Sequence, residues 1–361
     1  MRRGLFSAVL FFLGFVLVDD SRAQWQEEWK RVLQGAKREG KVSVIIPVGR
    51  EAYDALVDPF QKQHGITVET FVDRGAGIAP KVSAERGAGQ YLWDVVITGT
   101  TTALGALIPM GALDPLDPAF ILPDVKDPKS WRGGSLEFID PGHQMLVVTP
   151  FQRGTLFINP KMVKPEEFRS YKDLLDPKWK GKIIMDDPRR AGPGQATFTF
   201  FYLHPELGPN YIRALAKQEP IIFKDFAQEV DEVGRGKFPI LIGTADANAE
   251  ERIRQGVPIH IVDPRQLREG SDVSPANGAV SIFNKPPHPN AAKLYLNWFL
   301  SKEGQTVFAR AMGYVSSRLD VPTDHALAWR VPQPGAIKTY TTEAIKVREK
   351  LLPLLTELFG R

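Results

Sequence analysis

The stretch KVSVIIPVGREAYDALVDPF, Lys41–Phe60, decides the fold class. Its first eight residues are an apolar, β-branched run of the kind that forms a strand buried on both faces. Val48-Gly49-Arg50-Glu51 follows as a short loop. Tyr53, Leu56, Val57 and Phe60 then recur at i, i+3, i+4 and i+7, the spacing of one helix face. Strand, glycine loop and helix in that order begin a βαβ series.

The series continues downstream. ITVETFV (66–72) reads as a strand, RGAGIAP (74–80) as a glycine loop and PKVSAERGAG (80–89) as a short helix. DVVITG (94–99), TTT (100–102) and ALGALIPMGAL (103–113) repeat the order. Strands alternating with helices imply a mainly parallel α/β sheet with helices on both faces, and ligands of such sheets bind at the carboxyl ends of the strands.

HQMLVVTPFQRGTLFIN (143–159) is an unusually long strand-like run, expected to cross from one sheet to a second. The strands KIIMDD (182–187), FPILIG (238–243) and PIHIV (258–262) follow, with helices between them. GAVSIFNKPPHPNAAKLYLNWFL (278–300) then returns a strand and a helix with Ala291, Leu294, Tyr295 and Trp298 on its apolar face. The 29 prolines and 31 glycines fall mostly at element ends, where they punctuate structure.

Before this lies MRRGLFSAVLFFLGFVLVDDSRAQ (1–24). Two arginines, a short apolar run from Leu5 to Val18 and Ser21-Arg22-Ala23 read as a secretory signal peptide cleaved after Ala23, too short to span a bilayer. Trp25, Trp29, Val32, Leu33 and Ala36 then form the face of a first mature helix. With no cysteine, the exported chain has neither disulfides nor a lipid-modified anchor. The formal charge of +4 falls by one with residues 1–23, a balance too small and scattered for nucleic acid.

Four segments in order, AKREGKVSV (36–44), ITVETFVDRGAGIAPKVSAERGAG (66–89), LDPKWKGKIIMDDP (175–188) and NGAVSIFNKPPHPNAAKLYLNWFLSKEGQ (277–305), resemble the periplasmic solute-binding proteins of ABC transporters, in the branch that includes ferric-iron binders. The resemblance implies a type II periplasmic binding fold of two α/β lobes that trap a solute in a cleft, and an inner-membrane ABC permease as partner. By it, lobe one holds 24–151 and 276–313, and lobe two 152–275 and 314–361. The C-terminal helix, with Ile345, Leu351, Leu352, Leu355 and Leu358, is expected to pack on lobe two.

Iron binders of that branch hold the metal with neighbouring tyrosines, and the eight tyrosines here include no adjacent pair. Where the pair would stand, the sequence reads Gly243-Thr244-Ala245-Asp246. The six histidines show no metal-site spacing. Asp186-Asp187 reads as a strand end in which one aspartate caps the following glycine loop.

The strand-end loops instead combine glycine, hydroxyl groups and arginine, whose N–H and O–H groups all donate to an anion. The expected ligand-binding residues are Arg50, Gly75 and Ala76 (beside Arg74), Gly99, Thr100, Arg153, Asp187, Arg189 (with Arg190 as its substitute), Gly192, Thr244 and Asp246. The expected solute is a small organic anion with a carboxylate, phosphonate or phosphate group, bound by a monomer without cofactor or metal. A ferric-iron or iron-chelate carrier is the alternative. A secreted enzyme is the second, although no P-loop, G-x-S-x-G elbow or H-E-x-x-H pair is present.

Overall fold

The computed structural model describes residues 24–360 apart from Arg74 and Ala76, and the backbone of 13–23. The expected signal peptide therefore lies mostly outside the described residues, as does Ala76 of the expected site. The chain divides into two compact units. Unit 1 is the chain up to Val148 with Asn277–Met312 and Ser317–Pro322; unit 2 is Thr149–Ala276 with Gly313–Ser316 and Thr323 onward.

Unit 1 begins with α1 (Leu13–Glu39), β1 (Lys41–Ile46), α2 (Arg50–Leu56), α3 (Asp58–His64), β2 (Thr67–Val72), α4 (Ile78–Gly87) and β3 (Val95–Thr98). There follow α5 (Thr100–Thr102), running into a π-helical turn at Ala103–Leu107, then β4 (Leu113–Asp114), α6 (Pro123–Lys126), β5 (Glu137–Phe138) and β6 (Leu146–Val147). Unit 2 contributes β7 (Phe151–Gln152), β8 (Leu156–Ile158), β9 (Ile183–Asp186), α7 (Pro193–Leu203), α8 (Gly208–Ala216), β10 (Ile221–Phe223) and α9 (Phe226–Gly234). It continues with β11 (Ile240–Ile242), α10 (Asp246–Arg254), β12 (His260–Ile261) and β13 (Val273–Ser274). The chain re-enters unit 1 for β14 (Ala279–Phe283), α11 (Pro289–Leu300) and α12 (Lys302–Met312), and α13 (Thr342–Phe359) ends unit 2.

The sheet of unit 1 runs β2-β1-β3-β14-β6-β5, with β4 beside β14. Its first three strands are parallel, and β14 runs antiparallel to β3, β4 and β6. Unit 2 runs β10-β9-β11-β8-β12, parallel in its first three strands and antiparallel at β8 and β12. Both sheets are therefore mixed. The parallel half of each is the part with helical crossovers, and the remaining strands arrive from the opposite direction.

Burial follows sheet position. Central β1 is buried at five of six residues, whereas β2, on the edge, exposes its alternate residues Thr67 and Glu69. Asp94, fully buried just before β3, accepts the N–H of Ser43 at 2.7 Å and of His288 at 2.8 Å, and meets His288 Nδ1 at 2.8 Å. It thereby ties β1, β3 and the start of α11 together.

The 143–159 run is not one strand. It forms β6, β7 and β8 in three different sheets. Pro150 has no N–H to offer a ladder, and at Gly154 a Cβ would stand 2.6 Å from Ile261 Cγ2, so the backbone there packs directly on a neighbour.

The expected assignment of 314–361 wholly to lobe two also differs from the structure, because Ser317–Pro322 belongs to unit 1. Arg318, nearly fully buried, pairs with Asp320 at 2.9 Å and Asp124 at 3.0 Å, donates to the Leu300 carbonyl, and lies over the Trp131 ring. A buried guanidinium is held where its carboxylates are.

The core of unit 2 is aromatic. Phe198, Phe200 and Phe201 of α7 are buried with Tyr171 and Tyr211, and Leu351, Leu355 and Phe359 of α13 close over them. Leu352, on the other side of α13, is exposed. Among the described residues no helix is long and apolar enough to cross a membrane.

Candidate functional site

In unit 1 the carboxyl ends of β1, β2 and β3 carry the expected loops. Arg50 opens α2, and its side chain is 81% exposed, paired at 2.7 Å with Asp54 one turn along. The loop after β2 is organised by Asp73, whose Oδ1 accepts the N–H groups of Gly75 at 2.7 Å and Gly77 at 2.9 Å. Two of the N–H groups leading into α4 are therefore already taken by the chain's own carboxylate.

Gly75, at φ +105°, lies against the start of α5: a Cβ there would be 2.8 Å from Thr102 Oγ1 and 4.0 Å from Thr98 Oγ1. Glycine is thus required both by backbone conformation and by close approach. Gly99 and Thr100 sit in the same corner. Among the described residues the hydroxyls of Thr98, Thr100 and Thr102 make no hydrogen bond, and the N–H groups of Thr100 and Thr101 have no partner. The structure thereby brings Gly75, Gly99 and Thr100 together with Thr102 of the same threonine loop, and adds Thr98, which sequence reasoning missed. An alternating T-x-T-x-T (98–102) was the available signal.

In unit 2 the expected residues are tied into internal contacts. Arg153 is buried; it pairs with fully buried Asp272 at 3.2 Å and donates to the Pro193 carbonyl at 3.2 Å and the Thr244 carbonyl at 3.3 Å. Asp272 also accepts from Thr339 at 3.0 Å. Asp246 accepts the Gly154 N–H at 3.1 Å and lies 3.5 Å from Arg330, which is itself bonded to Glu250. Burial pushes the Asp246 carboxyl up, against the pull of Arg153 and Arg330. Thr244 is wholly buried.

Asp187 is gripped by Arg189 through two parallel bonds of 2.7 and 2.8 Å, and Arg189 Nη1 donates to the Phe359 carbonyl at 2.6 Å. This pair fastens the last turn of α13. Arg189 holds the Asp187 carboxyl below the usual carboxylate range, so the stability it contributes is present above about pH 4 and is lost as pH falls through the lowered value. Arg189→Ala is expected to lose about 1–3 kcal/mol and to expose the C-terminus to proteolysis; an unchanged cleavage pattern would count against the clamp. Arg190 donates to the Lys224 carbonyl.

The aspartate that caps the glycine loop is Asp186. Its Oδ2 accepts the Gly194 N–H at 2.7 Å at the start of α7, and a Cβ on Gly194 would fall 2.7 Å from that oxygen. Gly192, at φ +156°, leads the chain into this turn. Phe198, in the helix that follows, is fully buried.

A model of the bacterial extracellular solute-binding proteins matches residues 55–333, and the chain belongs to that family. An uncharacterized protein of Haemophilus influenzae is 28% identical over 276 residues, 75% of each chain. Two solved structures share the fold. The periplasmic binding protein AfuA of Actinobacillus pleuropneumoniae, with fructose-6-phosphate bound, aligns with a TM-score of 0.62 at 17% identity over 88% of this chain and 99% of its own. Iron-bound HitA of Pseudomonas aeruginosa aligns with a TM-score of 0.64 at the same identity and coverage. The fold is thus the type II periplasmic binding fold, and solute-binding proteins of this kind bind small solutes and work with ABC permeases.

Proposed function

We propose that this protein acts in the periplasm, after removal of residues 1–23, as the solute-binding component of an ABC importer whose solute is a small organic anion bearing a carboxylate, phosphonate or phosphate group. The observation that supports the anion is the corner at the end of β3, where Thr98, Thr100 and Thr102 present three uncommitted hydroxyls beside the unpaired N–H groups of Thr100 and Thr101. Gly75 keeps that corner open. The sugar phosphate bound to AfuA belongs to the same chemical class.

Arg50 is the arginine best suited to join these donors. Its pair with Asp54 is solvent-exposed and screened by water, so recruiting the guanidinium costs little. Arg153 and Arg189 already have carboxylate partners and carbonyl acceptors. A micromolar complex needs about 8 kcal/mol, and a charge-assisted hydrogen bond contributes roughly 1.5–3, so about three to six such bonds suffice. The solute is carried by a monomer, without turnover or cofactor, to an inner-membrane permease.

A panel of carboxylates, phosphonates and sugar phosphates screened by thermal melting tests the reading. A ligand at 100 times its Kd adds about 2.7 kcal/mol of stability, and Thr100→Val and Gly75→Val are each expected to weaken it at least tenfold. Native mass spectrometry of protein taken from the periplasm supplies the second readout. A retained ferric ion, or a panel in which no anion raises the melting temperature, overturns the anion assignment.

A further inference from the structure

The far end of α4 in unit 1 holds two cations that, among the described residues, have no ion-pair partner. Arg86, in the last turn of α4, donates to Asn284 Oδ1 at 2.6 Å, the Ala112 carbonyl at 2.9 Å and the Asn284 carbonyl at 3.2 Å. Its guanidinium carbon is 5.1 Å from the Tyr91 ring centroid, and Lys285 Nζ is 4.7 Å from the same centroid and 3.3 Å from the Tyr91 hydroxyl. Lys285 holds a left-handed backbone at φ +52°, unusual for a residue with a Cβ. Neither cation has a carboxylate at ion-pair distance among the described residues; Asp114 acts on Arg86 only from further off.

These side chains, with Ser83, Met110 and Gly111, line an open pocket of about 310 Å³. Burial lowers the pKa of Arg86, and Tyr91 and the more distant Asp114 offset this only in part. Three of the five guanidinium N–H groups are engaged, which leaves donors for a ligand. The strand-end corner is a separate place, since α4 starts there and runs ten residues, about 15 Å, before the pocket.

We infer that this pocket is a second anion site, in which Arg86 and Lys285 take a small free oxyanion of the phosphate or sulfate type. Aromatic stacking of both cations on Tyr91 holds them in place in the absence of the anion, and the anion would supply the charge that the two lack.

Inorganic phosphate and inorganic sulfate, titrated separately by calorimetry at low ionic strength, test this. Wild type is expected to bind at least one of them saturably, and Lys285→Gln, at an exposed position that leaves folding intact, is expected to weaken binding about tenfold. Arg86→Lys keeps the charge, removes the fork, and is expected to weaken it further. Binding at the strand-end threonines would survive Lys285→Gln and be lost in Thr100→Val, so the two sites are separable. A wild type that binds neither ion, or isotherms identical in wild type and Lys285→Gln, would overturn the inference.

Discussion

Glu229→Gln is expected to stabilise the protein above pH 5, by roughly 2–3 kcal/mol at pH 7, and to flatten the fall in stability between about pH 4.5 and 8. Glu229 lies in the first turn of α9, fully buried, with the Thr244 hydroxyl nearby but neither carboxyl oxygen in a well-aligned hydrogen bond. Burial pushes its pKa up to about 8; the nearby Thr244 hydroxyl opposes this, Asp186 and Asp225 reinforce it, and Arg190 opposes it from the loop after β9. On α10, Asp246 is bonded to Gly154, and on α9 itself Asp231 and Glu232 are paired with Arg252 and Lys237.

The sign follows from the raised value. Below pH 4.5 the carboxyl is protonated whether the chain is folded or not. Between 4.5 and 8 the unfolded chain ionises while the folded one keeps its proton, so stability falls with pH by at most about 1.4 kcal/mol per unit. Glutamine keeps a neutral donor beside Thr244 and has no proton to lose. Urea denaturation of both proteins from pH 5 to 8 is the measurement, and parallel stability curves would show that Glu229 ionises in the folded state at ordinary pH.

The second large effect is expected at Arg153. Arg153→Ala leaves Asp272 fully buried with the Thr339 hydroxyl as a remaining partner and removes an opposing charge from Asp246. Breaking a buried pair from one side typically costs about 3–5 kcal/mol. The double variant Arg153→Met/Asp272→Leu is expected to recover most of that loss, because no unpaired charge remains. If Arg153→Ala instead melted like wild type and only weakened solute binding, the arginine's role would be toward the solute and not toward Asp272.

Much of the fold is legible in the sequence. The apolar runs at 41–46, 95–98, 183–186 and 279–283 are strands because they are rich in β-branched residues and buried on both faces, and the glycine loops after the first three and the proline loop after the last mark where helices begin. The aromatic run Phe198–Tyr202 is core, and α13 packs its Leu351 and Leu355 on it. Local pattern suffices for such elements, since periodicity records which face is buried.

Where a polar group finds its partner was decided by tertiary structure alone. Arg153 and Asp272 are 119 residues apart, Arg189 and Phe359 are 170 apart, and Arg318 returns a short segment to unit 1 through Asp124 and the Leu300 carbonyl. Gly75 and Thr102 meet only because β2, β1 and β3 lie side by side. An arginine beside a glycine loop looks the same in sequence whether it awaits an anion or already holds an aspartate. The difference is burial: Arg153, removed from water, has its counter-charge in Asp272, while Arg50, left in water, remains available to a ligand.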